Sequence, residues 1–356
     1  MPSLKEIKGR INSISSTLAI TSAMKMVAAA KLQKAQMAIQ NMLPYERRLY
    51  SMLVDLMGAM NISAAASEDG SVRGSGSAER GFDQSGDLLS LSNRHDLAGM
   101  DGAYSLMAQR EVRKVAIVAF ASNSSLCGAF NSNVIREATA VINEYRASGL
   151  GDADITVYSV GRKMAEAMKK LGFPSPADFT KMSDSPSYDA ASALAQELFD
   201  GFVSGRFDKV ELVYNHYKST SSQPTTRQTY LPLSLADATA DIQVGKITDS
   251  ASEPYADKVA EPVVRQNSPT TETPDLIVEP SKEELIATLL PKVVRLRVFT
   301  TLLDSTAAEH AARTVAMQLA TDNGNDLLQE LTLEYNKGRQ QKITSEILDI
   351  VGGSLQ

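Results

Sequence analysis

The chain has 356 residues, 43% hydrophobic and 22% charged, which is enough apolar material for a sizeable core and excludes global disorder. Its 36 basic and 42 acidic side chains give a net charge of −6, which argues against a general nucleic-acid binder needing a basic surface to release counterions. The single cysteine, Cys127, cannot form an internal disulfide, and His95, His216 and His310 are too scattered to suggest a metal site. No run of about 18 uncharged apolar residues could span a membrane. The opening MPSLKEIKGR enters a helical pattern without signal or transit features, pointing to a soluble protein of a reducing compartment.

In the first region, Leu4, Ile7, Ile11, Ile14 and Leu18 recur in alternating steps of three and four, the spacing of a coiled-coil seam. Ser3 and Glu6 have the spacing of a capping box. The seam continues more weakly through Ala28, Leu32, Ala35 and Ile39, while Ile20, Met24, Met26 and Val27 bring apolar side chains to other faces. A helix apolar around much of its circumference is enclosed on several sides, by its own core or by partner subunits. Residues 1–50 also carry eight basic groups against Glu6 and Glu46, suiting a solvated face or a partner that presents carboxylates.

The middle alternates strand and helix. Strands are expected at 112–120, 155–160 and 209–217, with an extra edge strand at 227–233; helices are expected at 132–148, 162–171 and 188–203. This order predicts right-handed βαβ units and a mainly parallel sheet. Two polar segments, 61–110 and 233–278, interrupt the pattern and carry no expected chemistry. The organisation is thus a first helix over 1–60, an α/β domain over 111–232 and a last helical region over 279–356.

From Lys292 to Gln356 there is no proline. Val293, Val294, Val298, Leu302, Ala308, Ala312, Val315, Leu319, Leu327, Leu331 and Ile347 supply a helical stripe. At a rise of about 1.5 Å per residue such a helix would run on the order of 95 Å, against a radius of gyration of about 20 Å for a globular chain of this size. It must project, and pairing with the N-terminal helix is the natural remedy for an isolated helix's marginal stability.

Catalytic signals are sparse. The turn after the first strand, ASNSSLCGAFNSN, lacks the glycine pattern for a pyrophosphate, and no P-loop sequence occurs. Gly74 and Gly76 form only a fragment of a glycine motif. Cys127 has no neighbouring base in sequence and reads as a small buried turn residue; His310 reads as a surface or interface residue. The acidic DNGND at 322–326 lacks the ligand set of a calcium loop.

Five blocks nevertheless carry a resemblance: ITSAMKMVAAAKLQKAQ (20–36), SLCGAFNSN (125–133), ELVYNHYKS (211–219), EPSKEELIATLLPK (279–292) and the long stretch from Ala307 to Gly353. In this order they resemble the gamma subunit of the F-type ATP synthase, bacterial type with extra inserted segments. Ser122 to Ser125 replace an Asp-Arg pair common in the family, and Ser354 replaces a usual alanine. The lone Cys127 excludes the dithiol control of thylakoid-type members.

The resemblance implies a long antiparallel coiled coil of the terminal helices plus a Rossmann-like βαβ domain. It also implies a non-catalytic central-stalk rotor with no cofactor or metal, present once per complex. Its partners would be the alpha and beta subunits of the catalytic hexamer, the epsilon subunit and the membrane ring of c subunits. Its place would be the cytoplasmic face of the bacterial plasma membrane, held peripherally. A non-rotary coiled-coil scaffold and a nucleotide-dependent α/β enzyme are the alternatives. The expected partner contacts are Met24, Lys25, Met26, Val27, Lys31, Lys34, Ile343, Glu346, Ile347 and Ile350. The expected seam is Ile7, Ile11, Ile14 and Leu18 against Val315 and Leu319.

Overall fold

The computed structural model describes residues 3–68, 106, 110–233, 278–279 and 281–354. Most of the polar segments 61–110 and 233–278, including Gly74, Gly76 and His95, lies outside the described residues.

Two long helices frame everything else. Helix α1 spans Leu4–Glu68, past the expected boundary at residue 60. Its start follows from chemistry at Ser3, whose Oγ accepts from the Glu6 amide at 3.2 Å. The last helix, α6, spans Lys282–Ser354 and so begins ten residues before Lys292, with Pro291 inside it. Proline removes one helical hydrogen bond, but Leu290, Val293 and Val294 around it are all buried, so tertiary packing holds the helix through that point.

Between them lies a four-stranded sheet in the order β2-β1-β3-β4. The strands are β1 (Val115–Phe120), β2 (Ile155–Val160), β3 (Lys209–Asn215) and β4 (Thr225–Leu231). The first three are parallel, and β4 is an antiparallel edge that returns from β3 through the loop 216–224. The strand expected over 112–120 is shorter, and the edge strand starts two residues earlier than expected, at Thr225. Helices α2 (Phe130–Ala147) and α3 (Arg162–Lys170) cover one face. The short α4 (Thr180–Asp184), too brief to leave a periodic signal, and α5 (Tyr188–Val203) follow on the way to β3.

Alternation along each strand divides the core in two. Ile117, Ala119, Val157 and Val213 face Val134, Ala138, Val141 and Met164 of α2 and α3. On the opposite face Val118, Phe120, Tyr158, Val210 and Leu212 meet Leu194 and Leu198 of α5, and both long helices enter this same core. Leu49, Leu53 and Leu56 come from α1, and Ile286, Leu290, Val294 and Val298 from α6. The long helices are therefore a structural layer of the domain at one end and leave it at the other. Burying each such aliphatic side chain contributes roughly 1.5–3 kcal/mol before entropy is counted.

The β2–α3 turn depends on one glycine. Gly161 has φ of 95°, and a Cβ there would stand 2.0 Å from the Ala121 carbonyl oxygen. Gly161→Ala combines backbone strain with a backbone clash that no rotamer change relieves, and should lower stability by about 3 kcal/mol or more. Chemical denaturation of the variant checks this; a change within experimental error would contradict it.

Candidate functional site

A heptad seam runs much further along α1 than the aliphatic residues reveal. Less-exposed positions recur in steps of three and four from Leu4 through Ile7, Ile11, Ile14, Leu18, Thr21, Lys25, Ala28, Leu32, Ala35, Ile39, Met42, Glu46, Leu49 and Leu53 to Leu56. On α6 the matching series is Thr314, Met317, Thr321, Gly324, Leu328, Leu331, Tyr335 and Gly338. The helices are antiparallel, as three rungs show. A Cβ on Gly338 would come within 3.1 Å of Leu4, one on Gly324 within 2.6 Å of Leu18, and Thr321 Oγ1 lies 3.1 Å from Thr21 Oγ1.

These rungs correct the expected partner positions on α6. Leu319 is 58% exposed and lies on the outward face; Val315 is only half-buried, one residue out of phase. The seam there runs through Thr314, Met317, Thr321 and Gly324, so Leu319, though large and apolar, falls on the outward side of the helix. The recoverable signal was a matched spacing: Leu4 and Leu18 are fourteen residues apart, as are Gly324 and Gly338. Glycine leaves a hole that a facing leucine fills, at the cost of about 1 kcal/mol of helix propensity each.

The expected contact residues fall into two groups. Lys25 is half-buried in the seam, and its ammonium donates to Gln318 Oε1, whose amide in turn donates to Asp322. Met24 is also half-buried, whereas Met26 (64% exposed), Val27, Lys31 and Lys34 are exposed, Lys31 near enough to α6 for its charge to reach Glu309 and His310. Beyond Gly338, opposite the first residue of α1, no described residue of α1 runs alongside residues 339–354 of α6. Ile343, Ile347 and Ile350 are exposed there, as are Leu348 and Val351, while Glu346 lies 3.9 Å from Lys342.

In an open α/β sheet, ligands bind at the carboxyl ends of the strands where the winding reverses. With β1 central, that crevice lies between the loops after β1 and β3. Here it is filled from within. Ala308 and Ala312 of α6 pack against Cys127, Phe130 and Tyr217; Asn215 donates to the Phe130 carbonyl at 3.0 Å and accepts from Thr225 Oγ1 at 2.7 Å. Ser122 is buried and donates to the Ser124 carbonyl at 2.6 Å. Cys127 is the small buried turn residue expected.

The ionisable groups inside the domain are spent on structure. Glu211 is buried, which by itself would raise its pKa. Arg227, Lys209 and the Tyr145 hydroxyl, the last at 2.6 Å, outweigh that and hold it below the ordinary carboxylate range. Beside the crevice, Arg313 donates to Glu309 Oε1 at 2.8 Å and to Ser124 Oγ at 2.7 Å. Burial still leaves Glu309 above its usual range. His310 is only 8% exposed, an interface residue rather than a surface one, with Nδ1 unpartnered among the described residues. Burial foremost, then the charges of Arg313 and Lys31, lower its pKa to about 4.

This arrangement defines a class: a two-helix shaft mounted on an α/β foot, with a bare apolar tip. Comparison with known proteins makes it specific. A family model described as ATP synthase matches residues 3–355. The ATP synthase gamma chain of Phocaeicola vulgatus is 48% identical over 355 residues, covering 100% of each chain, and that of Bacteroides thetaiotaomicron is 45% identical over 356 residues, again 100% of each. The long polar segments are thus matched by relatives of equal length. A chain of the Euglena gracilis mitochondrial ATP synthase in an OSCP/F1/c-ring assembly shares the fold, with a TM-score of 0.52 at 18% identity over 98% of this chain and 92% of that one. The chain belongs to the gamma-subunit family of the F-type ATP synthase, the central-stalk rotor of that complex. No described helix is long and apolar enough to cross a membrane.

His310 gives the shaft an acid sensitivity. Its folded pKa of about 4 lies below the unfolded value of 6.5, so the unfolded chain binds the extra proton first. The associated stability is complete above pH 6.5 and is lost as pH falls towards 4, by about 3 kcal/mol in total. Glu309, shifted upward, offsets part of this in the same window. The variant His310→Leu should lose less melting temperature than the parent between pH 7 and pH 5; an equal or larger loss would refute the assignment.

Proposed function

We propose that this chain is a non-catalytic torque shaft: its tip turns inside the catalytic hexamer of alpha and beta subunits, and its foot rests on the ion-driven membrane ring. The ATP chemistry then belongs to the beta subunits. The foot would contact the epsilon subunit and the ring of c subunits, with one copy per complex, held peripherally at the cytoplasmic face of the bacterial plasma membrane.

The observation that carries this reading is the exposed apolar end of α6, which extends beyond the described part of α1. At about 1.5 Å per residue, α1 and α6 are about 98 and 110 Å long, several times the size of the foot. A shaft with five exposed aliphatic side chains at its end needs a sleeve, and Ile343, Ile347 and Ile350 are the proposed bearing contacts, with Glu346 beside them. Apolar contact is non-directional, so a bearing made of it can slide past three similar partners without breaking a fixed hydrogen-bond pattern. Met26 and Val27 present a second such band, and Lys31 and Lys34 flank it with charge suited to acidic loops. Met24 and Lys25 act at the same level, Lys25 through the seam. The polar segments are proposed to decorate the exposed foot.

The test is reconstitution with alpha and beta subunits, followed by ATPase and single-molecule rotation measurements. Replacing Ile343, Ile347 and Ile350 together by Asp should weaken retention of the chain in the hexamer by at least about tenfold, since losing even one such contact is worth more than 1.4 kcal/mol. Glu346→Gln should change retention little. Undiminished retention of the triple variant would overturn the bearing assignment, and a stable homodimer that ignores alpha and beta subunits would overturn the rotor itself.

A further inference from the structure

We propose that the ligand crevice of the α/β foot is the joint through which torque enters the shaft, with α6 residues 304–316 seated in it as a permanent internal ligand. This inference rests on the shaft reading above.

The seat has a floor and two walls. Successive residues of a helix advance by about 100°, so Ala308, Ala312 and Ala316 follow Asp304 at about 40°, 80° and 120°, and Arg313 lies about 180° from it. Asp304 and Arg313 thus mark opposite margins of a half-cylinder whose middle is an alanine stripe. The alanines form the floor. Ala308 is fully buried against Cys127 and Phe130, Ala312 packs beside them, and Gly128 brings the loop backbone close to Ala316.

Each wall is a polar clamp supplied by a different loop. On one margin Asp304 accepts from the Tyr217 amide at 2.9 Å and lies 2.6 Å from His216 Nδ1, both in the loop after β3. The Tyr217 hydroxyl also accepts from Gln36 of α1 at 2.6 Å, tying the second helix to the same loop. On the other margin Arg313 donates to Ser124 in the loop after β1 and is braced by Glu309.

The geometry suits the direction of load. The larger apolar interface lower on α6 resists separation of helix and foot, but it is non-directional and opposes rolling weakly. Hydrogen bonds have preferred angles, and charge-assisted ones are the stronger kind. Placed on both margins, they oppose roll of α6 about its own axis in either sense. They also lie where the helix leaves the foot, the point at which twist between the two parts concentrates.

The joint is tested in the assembled complex of this chain with alpha and beta subunits, with a bead attached through Lys170→Cys on the foot and the hexamer fixed to glass. Torsional stiffness is read from the bead's angular fluctuations, and ATPase is measured in parallel. Asp304→Ala combined with Arg313→Ala should lower stiffness at least about twofold while ATPase is retained. Asp304→Asn, which keeps an acceptor for the Tyr217 amide, should recover most of the loss relative to Asp304→Ala alone. Unchanged stiffness in the double variant, or equal stiffness of the Asn and Ala variants, overturns the joint and leaves the rotor reading standing. Failure of the parent chain to assemble or rotate overturns the rotor reading, and the joint with it.

Discussion

Everything in this molecule depends on two helices being longer than the domain that carries them. A helix that leaves its domain has no core to bury its apolar face, and in water its propensity alone is marginal. The two ends of the chain solve this for each other by pairing antiparallel along a continuous heptad seam. The pairing is not uniformly greasy. Leucines seated over Gly324 and Gly338, the Thr21–Thr321 contact and Lys25 on Gln318 make it close and shape-specific where it is thinnest. Polar seam residues forgo some burial but fix register, which a shaft under torsion requires more than extra stability.

The second constraint is that the foot cannot serve two masters at its crevice. A parallel sheet with reversed winding offers a ligand site at its carboxyl edge, and the sequence already lacked the glycine pattern for a phosphate there. The folded chain uses that place to seat its own α6, with Cys127, Phe130 and Asn215 completing the filling. The foot is therefore a socket for α6. Buried charges such as Glu211 and Glu309 are neutralised locally by Arg227 and Arg313, consistent with groups that hold elements together.

Much of this was legible in residue order alone. The short run ITVYSV at 155–160 and the longer run 188–203 read as strand and helix at those bounds, because short β-branched and aromatic runs and amphipathic helices leave distinct signals. The first helix was visible in Leu4, Ile7, Ile11, Ile14 and Leu18. The α6 seam was only partly visible: Leu331 belongs to both the apolar stripe and the seam, but Thr321, Gly324 and Gly338 are contact positions too, and hydrophobicity carries no record of a hole. Leu319 drew the eye because it is large and apolar, yet it faces outward. Asp304 and Arg313 were equally invisible, since nothing in a helical sequence says that residues nine apart clamp to loops from two different strands.

Sequence by itself determined the class: helical ends around a βαβ middle, an apolar terminal segment, and the family to which they belong. The helical and strand patterns are local, set by the period at which side chains return to one face, whereas the family rests on the resemblance of five blocks of sequence. Tertiary structure alone decided which faces of α1 and α6 meet, that Lys25 lies within the seam rather than outside it, and that the crevice is occupied by the chain itself. Those outcomes depend on contacts between residues three hundred or more positions apart, such as Thr21 with Thr321 and Leu4 with Gly338. Shape complementarity of that kind exists only after the chain has come together.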